Sequence, residues 1–209
     1  MSKSNSRMNI QSNYDFQTYN SNKHFFNYIN YDGTDGFKEE EVKKALEGYT
    51  GENYKQINQY LRKGEYDMNP FDGIASIFLL GIPIMLYKAN LLTIKSIYYG
   101  LSERIKVKEL DKIRQGTIVY KGVNKKPPSC WKVGDSFYFP EFVSTSLDLN
   151  VAKEFGDYIF VIKLNGKGFK GVERLSIYPN EKEVLINAYS KFKITKIDGK
   201  YYHFNLLDN

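Results

Sequence analysis

Residues 191–207 read KFKITKIDGKYYHFNLL. The runs 191–197 and 201–207 are rich in β-branched and aromatic side chains, and Asp198-Gly199 between them suits a tight turn. The segment therefore predicts an antiparallel hairpin. Further strand-like runs lie upstream: EVLINAYS (183–190), DYIFVIKL (157–164), DSFYF (135–139) and TIVYKGV (117–123), several bounded by Gly, Asn or Pro. Before residue 116 the apolar period changes. FKEEEVKKALEGY (37–49) puts Phe37, Val42, Ala45, Leu46 and Tyr49 near one face, with acidic residues first and Gly48 at the end. ENYKQINQYLRKG (52–64) lines up Tyr54, Ile57 and Leu61 and stops at Gly64. Two amphipathic helices joined at Thr50-Gly51 as a helical hairpin are expected. Helices first and strands afterwards indicate an α+β fold, not alternating α/β.

The 209 residues suffice for one domain with a sizeable core, and 18 Tyr, 14 Phe and one Trp exclude a wholly disordered chain. Residues 1–30, rich in Asn, Ser and Tyr, are expected to form a loosely ordered arm. Residues 31–209 are expected to form a single domain, helical over about 37–115 and β-rich over about 116–209. The amino terminus has no apolar core of a signal peptide, so cytosolic synthesis is expected, compatible with delivery to, or action in, a host cell. The uncharged run IASIFLLGIPIMLY (74–87) is shorter than the about 18–20 residues of a membrane span, and it contains Gly81 and Pro83. A buried helix broken near Pro83 is expected, without membrane contact.

With one cysteine, Cys130, and two histidines, His24 and His203, the chain can form neither an internal disulfide nor a Cys/His zinc cluster. The formal charge of +6 is concentrated. Residues 103–132 hold nine basic and three acidic residues, which accounts for the whole excess.

Three local patterns carry chemistry. In Glu181-Lys182-Glu183, strand alternation would put both carboxylates on one side with Lys182 opposite; paired carboxylates can orient hydroxyls or stabilise a developing cation. FVSTSLDLNVAKEF (142–155) reads as a short strand with Ser144 and Ser146 on one face. A helical turn follows, capped by Asp148 with Ala152 and Phe155 inward. In Tyr120-Lys121-Gly122 a strand cation suits an anion such as phosphate, beside a glycine that admits close approach.

In their order and spacing these patterns resemble the ADP-ribosyltransferases of the arginine–serine–glutamate type, over residues 49 to 197. The Tyr54-x-x-Ile57-Asn58-x-x-Leu61-Arg62 helix, the Tyr120-Lys121-Gly122 strand, Phe142-x-Ser144-Thr145-Ser146 with Ala152 and Phe155, and Ser176-x-Tyr178-Pro179-x-Glu181-x-Glu183 carry the likeness. It implies helices packed on two facing, mostly antiparallel sheets, with NAD as co-substrate between them and no metal. By the same resemblance Glu183 stabilises the oxocarbenium-like transition state and binds the nicotinamide ribose. Ser144 holds Glu183, and Glu181 engages the attacking nucleophile, favouring arginine of a protein as acceptor. Tyr120, Lys121, Gly122, Ser144, Thr145, Ser146, Phe155, Arg62 and Glu183 are the implied NAD-binding set; Tyr178, Pro179 and Glu181 form the substrate loop. The implied partner is a protein carrying an acceptor arginine, met by a monomer that binds no nucleic acid.

One position departs from the pattern. Lys121 stands where the family has arginine, and a compact point charge replaces a planar two-pronged donor. Losing one charge-assisted hydrogen bond is worth about 1.5–3 kcal/mol. A catalytically silent relative that binds protein or nucleotide, and a nucleic-acid-binding domain using residues 103–132, are the alternatives.

Overall fold

The computed structural model describes Ile29 and residues 37–63 and 84–208. The amino-terminal arm, apart from Ile29, and most of the run 74–87 lie outside the described residues. Among the described residues three long helices precede the strands: α1 (Glu39–Gly48), α2 (Tyr54–Lys63) and α3 (Ile84–Leu101). Eight strands follow: β1 (Ile118–Val123), β2 (Ser136–Phe139), β3 (Val143–Ser146), β4 (Tyr158–Leu164), β5 (Phe169–Gly171), β6 (Glu183–Ile186), β7 (Ser190–Asp198) and β8 (Tyr201–Leu207). A short helix, α4 (Leu149–Lys153), lies between β3 and β4. No helix among the described residues is long and apolar enough to cross a membrane.

The expected hairpin is β7 and β8, turning at Gly199 with φ +59°. The strands hydrogen-bond in the order β2-β7-β8-β4-β1-β3-β6-β5, and every pair is antiparallel except β4 with β8. Between β1 and β3 the only paired residues are Tyr120 and Ser146. The two expected layers are thus a five-stranded and a three-stranded part, hinged at one residue pair. Their inner faces share one core, to which Val119, Phe160, Phe192 and Phe204 come from the larger part and Val143, Phe169, Val184 and Ile186 from the smaller. The helices cover the other face of the smaller part. Val42, Leu46, Ile57 and Leu61 pack there with Phe142, Leu185 and Ala188.

The helical hairpin did not form as expected. Residues Tyr49–Asn53 make a π-turn broken at Gly51 (φ −80°, ψ −112°), and α1 packs chiefly along α3 instead of folding back on α2. Gly100 permits this, because a Cβ there would stand 2.6 Å from Val42 Cγ1. The run EVLINAYS is also shorter as strand than expected. β6 ends at Ile186, and Tyr189 takes φ +55° before β7 begins. β5, which has only three residues, was not foreseen from the sequence.

The close approach foreseen at Gly122 is made by the protein itself. A Cβ on Gly122 would meet the Ala152 carbonyl oxygen of α4 at 1.9 Å. Backbone cannot give way as a flexible side chain can, so Gly122→Ala must lift α4 off β1, at a cost of about 1–3 kcal/mol or more. For a chain of this size that is a melting temperature lower by roughly 3 °C or more. Thermal unfolding followed by circular dichroism checks this, and an unchanged midpoint contradicts it.

Candidate active site

Asn58, on the inner stripe of α2, fastens that helix to the chain entering β3. Its Oδ1 accepts from the Phe142 N–H at 3.2 Å, and its Nδ2 donates to the Phe142 carbonyl at 3.3 Å. One amide side chain therefore acts as a strand partner for one residue, satisfying two buried backbone groups. Asn58 Nδ2 also donates to the Tyr49 hydroxyl at 2.9 Å, which donates to the Phe142 carbonyl at 3.3 Å. The Tyr49 ring meets Phe142 edge-on at 5.6 Å. Burial, with the nearby charge of Glu183 adding to it, raises the Tyr49 hydroxyl well above the ordinary tyrosine range. The phenol therefore remains a neutral donor.

This clasp brings charged residues together where β1, β3 and β6 meet. Arg62, at the end of α2, donates through Nη1 to Glu141 Oε2 at 2.6 Å, and Glu141 is only 3% exposed. Lys121 of β1 is likewise 3% exposed and donates through Nζ to the Ser144 carbonyl at 3.2 Å. Burial lowers the Lys121 ammonium to about 8; the charges of Glu141 and Glu183 oppose that shift and Arg62 adds to it. Glu183, 2% exposed, opens β6. Two buried carboxylates and two cations thus share one electrostatic neighbourhood, in which a cation can meet an anionic group and a carboxylate can stabilise developing positive charge.

Glu183 pairs in register with Ser146, and Ser144 pairs with Leu185. Directly opposed residues share a face, so both serines lie on one face, as alternation predicted, and it is the Glu183 side of the sheet. Thr145, on the opposite face, donates to the Val184 carbonyl at 2.6 Å. The Ser144 side chain lies on the Tyr49 side and, like Asn58, opposes the upward shift that burial imposes on the Tyr49 hydroxyl. Ser146 serves two segments at once: its hydroxyl donates to the Glu181 carbonyl at 2.7 Å and accepts from the Asp148 N–H at 2.9 Å.

The strand geometry read into Glu181-Lys182-Glu183 is corrected by the structure. Glu181 closes a 3-10 turn begun by Pro179, Lys182 is left-handed at φ 47°, and only Glu183 is strand. The carboxylates are related through a turn, with the half-buried Glu181 on the rim and Glu183 inside. Ser146 and the Leu147 N–H, which donates to the Lys182 carbonyl at 3.2 Å, fix that turn to the serine strand. Tyr178 and Pro179 are exposed beside it. Thr50 Oγ1 donates to the Leu175 carbonyl at 3.2 Å, tying the joint between α1 and α2 to the base of this loop. Tyr120 is half-buried at the β1–β3 pair, Gly122 lies under α4, and Phe155 is buried just beyond α4. Asp148 caps α4 by accepting from the Asn150 N–H at 2.9 Å. Arg114 is exposed.

A family model described as NAD:arginine ADP-ribosyltransferase matches residues 15–207. The chain belongs to that family. Its resemblance to curated ADP-ribosyltransferases is regional: it is 34% identical over 80 residues to ecto-ADP-ribosyltransferase 5 of Rattus norvegicus, covering 38% of this chain and 26% of the relative. The human ecto-ADP-ribosyltransferase 5 is 32% identical over 81 residues, 39% of this chain and 28% of the relative. The matched segment therefore spans about a quarter of these relatives. Among solved structures, ADP-ribosyltransferase Vis in complex with agmatine aligns with a TM-score of 0.58 at 20% identity, covering 90% of this chain and 84% of that one. Exoenzyme S from Pseudomonas aeruginosa, in complex with human 14-3-3 protein beta and bound to carba-NAD, aligns with a TM-score of 0.57 at 16% identity, over 91% and 83%. These likenesses show that the chain has the ADP-ribosyltransferase fold.

Glu141 is the site residue that sequence reading missed. It lies in no periodic segment, and its partner Arg62 is 79 positions away. The motif spacing assigns Asn58 no role; the structure gives it one. Asn58→Ala leaves the Phe142 N–H and carbonyl without their side-chain partner and is expected to cost about 1–3 kcal/mol. Urea denaturation of the two proteins measures this, and equal stabilities contradict it.

Proposed function

We propose that this chain transfers the ADP-ribose of NAD to an arginine side chain of a protein and releases nicotinamide. The carrying observation is Glu183: a carboxylate buried at the start of β6, within electrostatic reach of Lys121, two residues after a half-buried Glu181 on a fixed turn. Membership of the family supports the same reaction.

The residues fit NAD. Lys121 and Arg62 offer positive charge for the pyrophosphate, and Glu183 offers acceptors for the nicotinamide ribose hydroxyls. In the reaction the bond from ribose C1 to the nicotinamide nitrogen breaks, and nicotinamide leaves with the electron pair. Positive charge develops on the ribose, and the Glu183 carboxylate stabilises it. Ser144 and Tyr49 support the chain beside Glu183, a contribution of positioning. Glu181 orients the acceptor guanidinium through a charge-assisted hydrogen bond and takes the proton released as its nitrogen joins C1. Tyr178 and Pro179, exposed next to Glu181, read the surface of the target protein. Eight of the nine basic residues between 103 and 132 are exposed, and only Lys121 is buried. That distribution supports steering of an anionic co-substrate or an acidic target.

Glu183→Gln is expected to lower nicotinamide release by two orders of magnitude or more, because the developing charge loses its counterion. Glu181→Gln is expected to spare hydrolysis of NAD while removing transfer to arginine. Incubation with labelled NAD and a cell lysate, followed by mass spectrometry of the modified side chains, tests both. Label on a residue other than arginine overturns the acceptor assignment.

Lys121 gives a pH dependence with a definite sign. Its ammonium is lowered to about 8, so the charge facing the phosphates is present below that pH and lost above it. The ratio kcat/KM for NAD is expected to fall as pH rises through about 8. Lys121→Arg, which cannot be deprotonated in this range, should remove that limb. A limb that persists in Lys121→Arg contradicts the assignment. Turnover present in Lys121→Arg and absent from the natural chain would support the catalytically silent reading.

A further inference from the structure

Glu141 has no role in the reaction as described, yet it is a carboxylate 3% exposed, just before the serine strand, paired with Arg62 and within electrostatic reach of Lys121. A buried carboxylate is costly unless it is paired, and one opposite a single surface arginine gains little. Glu141 instead meets Arg62, whose side chain is 26% exposed, at 2.6 Å and lies within electrostatic reach of buried Lys121. Arg62 and Lys121 repel one another, and their coexistence needs a negative charge between them. Glu183 cannot serve alone, because its carboxylate has the ribose to face in the proposed reaction.

We propose that Glu141 is a positioning residue of the NAD site: its carboxylate fixes the Arg62 guanidinium at the end of α2 and supplies the countercharge that lets Arg62 and Lys121 stand together facing the diphosphate. This rests on the reading of the chain as an NAD-using transferase. One guanidinium N–H is committed to Glu141, and the guanidinium has further donors with which to meet a phosphate. The groups that face the Lys121 ammonium are Glu141 on the segment entering β3, Glu183 on β6 and Arg62 on α2. Among them Glu141 opposes the effect of burial most strongly, ahead of Glu183.

A role limited to pinning α2 onto the sheet predicts lost stability and nothing more. A countercharge predicts shifts of opposite sign in two variants. In Glu141→Gln, which keeps the shape and removes the charge, the Lys121 titration midpoint falls by roughly one pH unit. In Arg62→Gln, which keeps Glu141 and removes the repelling cation, the midpoint rises. The midpoints are read from the ¹³Cε resonance of Lys121 in the full chain labelled with ¹³C-lysine, assigned by its absence from Lys121→Arg.

Kinetics give a second readout. Glu141→Gln is expected to raise KM for NAD on the order of tenfold, a change of about 1.4 kcal/mol, with kcat within about twofold. Glu141→Asp should recover part of it. Unshifted Lys121 midpoints in both variants, or an unchanged KM in Glu141→Gln, overturn the proposal. If Glu141→Gln alone does not fold, the charge is removed in the Arg62→Gln background, where no guanidinium is left unpaired, and a Lys121 midpoint that does not fall there relative to Arg62→Gln overturns the idea. If the natural chain releases no nicotinamide, the transferase reading fails, while the two titrations still decide whether Glu141 is the countercharge.

Discussion

Buried charge is the constraint around which the junction of the two sheet parts is arranged. Lys121, Glu141 and Glu183 are each no more than 3% exposed, and Arg62 reaches them from a helix. None could be withdrawn from water alone, since an isolated buried ion costs several kcal/mol even after the protein relaxes. Together they tolerate burial, and their mutual positions then depend on how firmly four separate segments are joined. The joints are all short and polar: the Asn58 clasp on Phe142, the Lys121 bond to the Ser144 carbonyl, the Ser146 bond to the Glu181 carbonyl and the single β1–β3 pair. A hydrophobic core on each side of the smaller sheet part supplies the rest of the stability.

This accounts for the family motifs in physical terms. The asparagine of the α2 pattern mimics a strand edge. The last serine of the serine strand is a hydrogen-bond hub for the glutamate turn and for the start of α4. Glu183 is held by its place in a strand, Glu181 by a turn, and the difference suits their proposed tasks. A carboxylate facing a developing cation gains from being fixed, whereas one that receives an external side chain gains from standing at the rim.

Much of the fold was legible because periodicity is a local property. The hairpin 191–207, the serine strand with its Asp148-capped turn and the stripes of α1 and α2 each follow from side-chain spacing within a few residues. The errors share another cause. Alternation was extended across Glu181-Lys182-Glu183, where left-handed Lys182 breaks the strand, and past Ile186, where Tyr189 does the same. The helical hairpin failed because Gly51 redirects the chain and Gly100 of α3 offers α1 a closer surface. Glu141 was invisible for a different reason: an isolated glutamate in an irregular segment looks solvated until Arg62 is folded against it. The site was proposed from resemblance and not from periodicity, and the one departure that resemblance flagged, Lys121, is the single buried member of the basic stretch.

The central claim is that the buried charges at the β1–β3–β6 junction form the NAD site. A crystal structure of the chain with a non-hydrolysable NAD analogue tests it most directly. The account predicts the diphosphate against Arg62 and Lys121, with the ribose bearing nicotinamide at Glu183 and Glu141 still paired with Arg62. An analogue bound elsewhere, or a diphosphate that displaces Glu141 from Arg62, would contradict it.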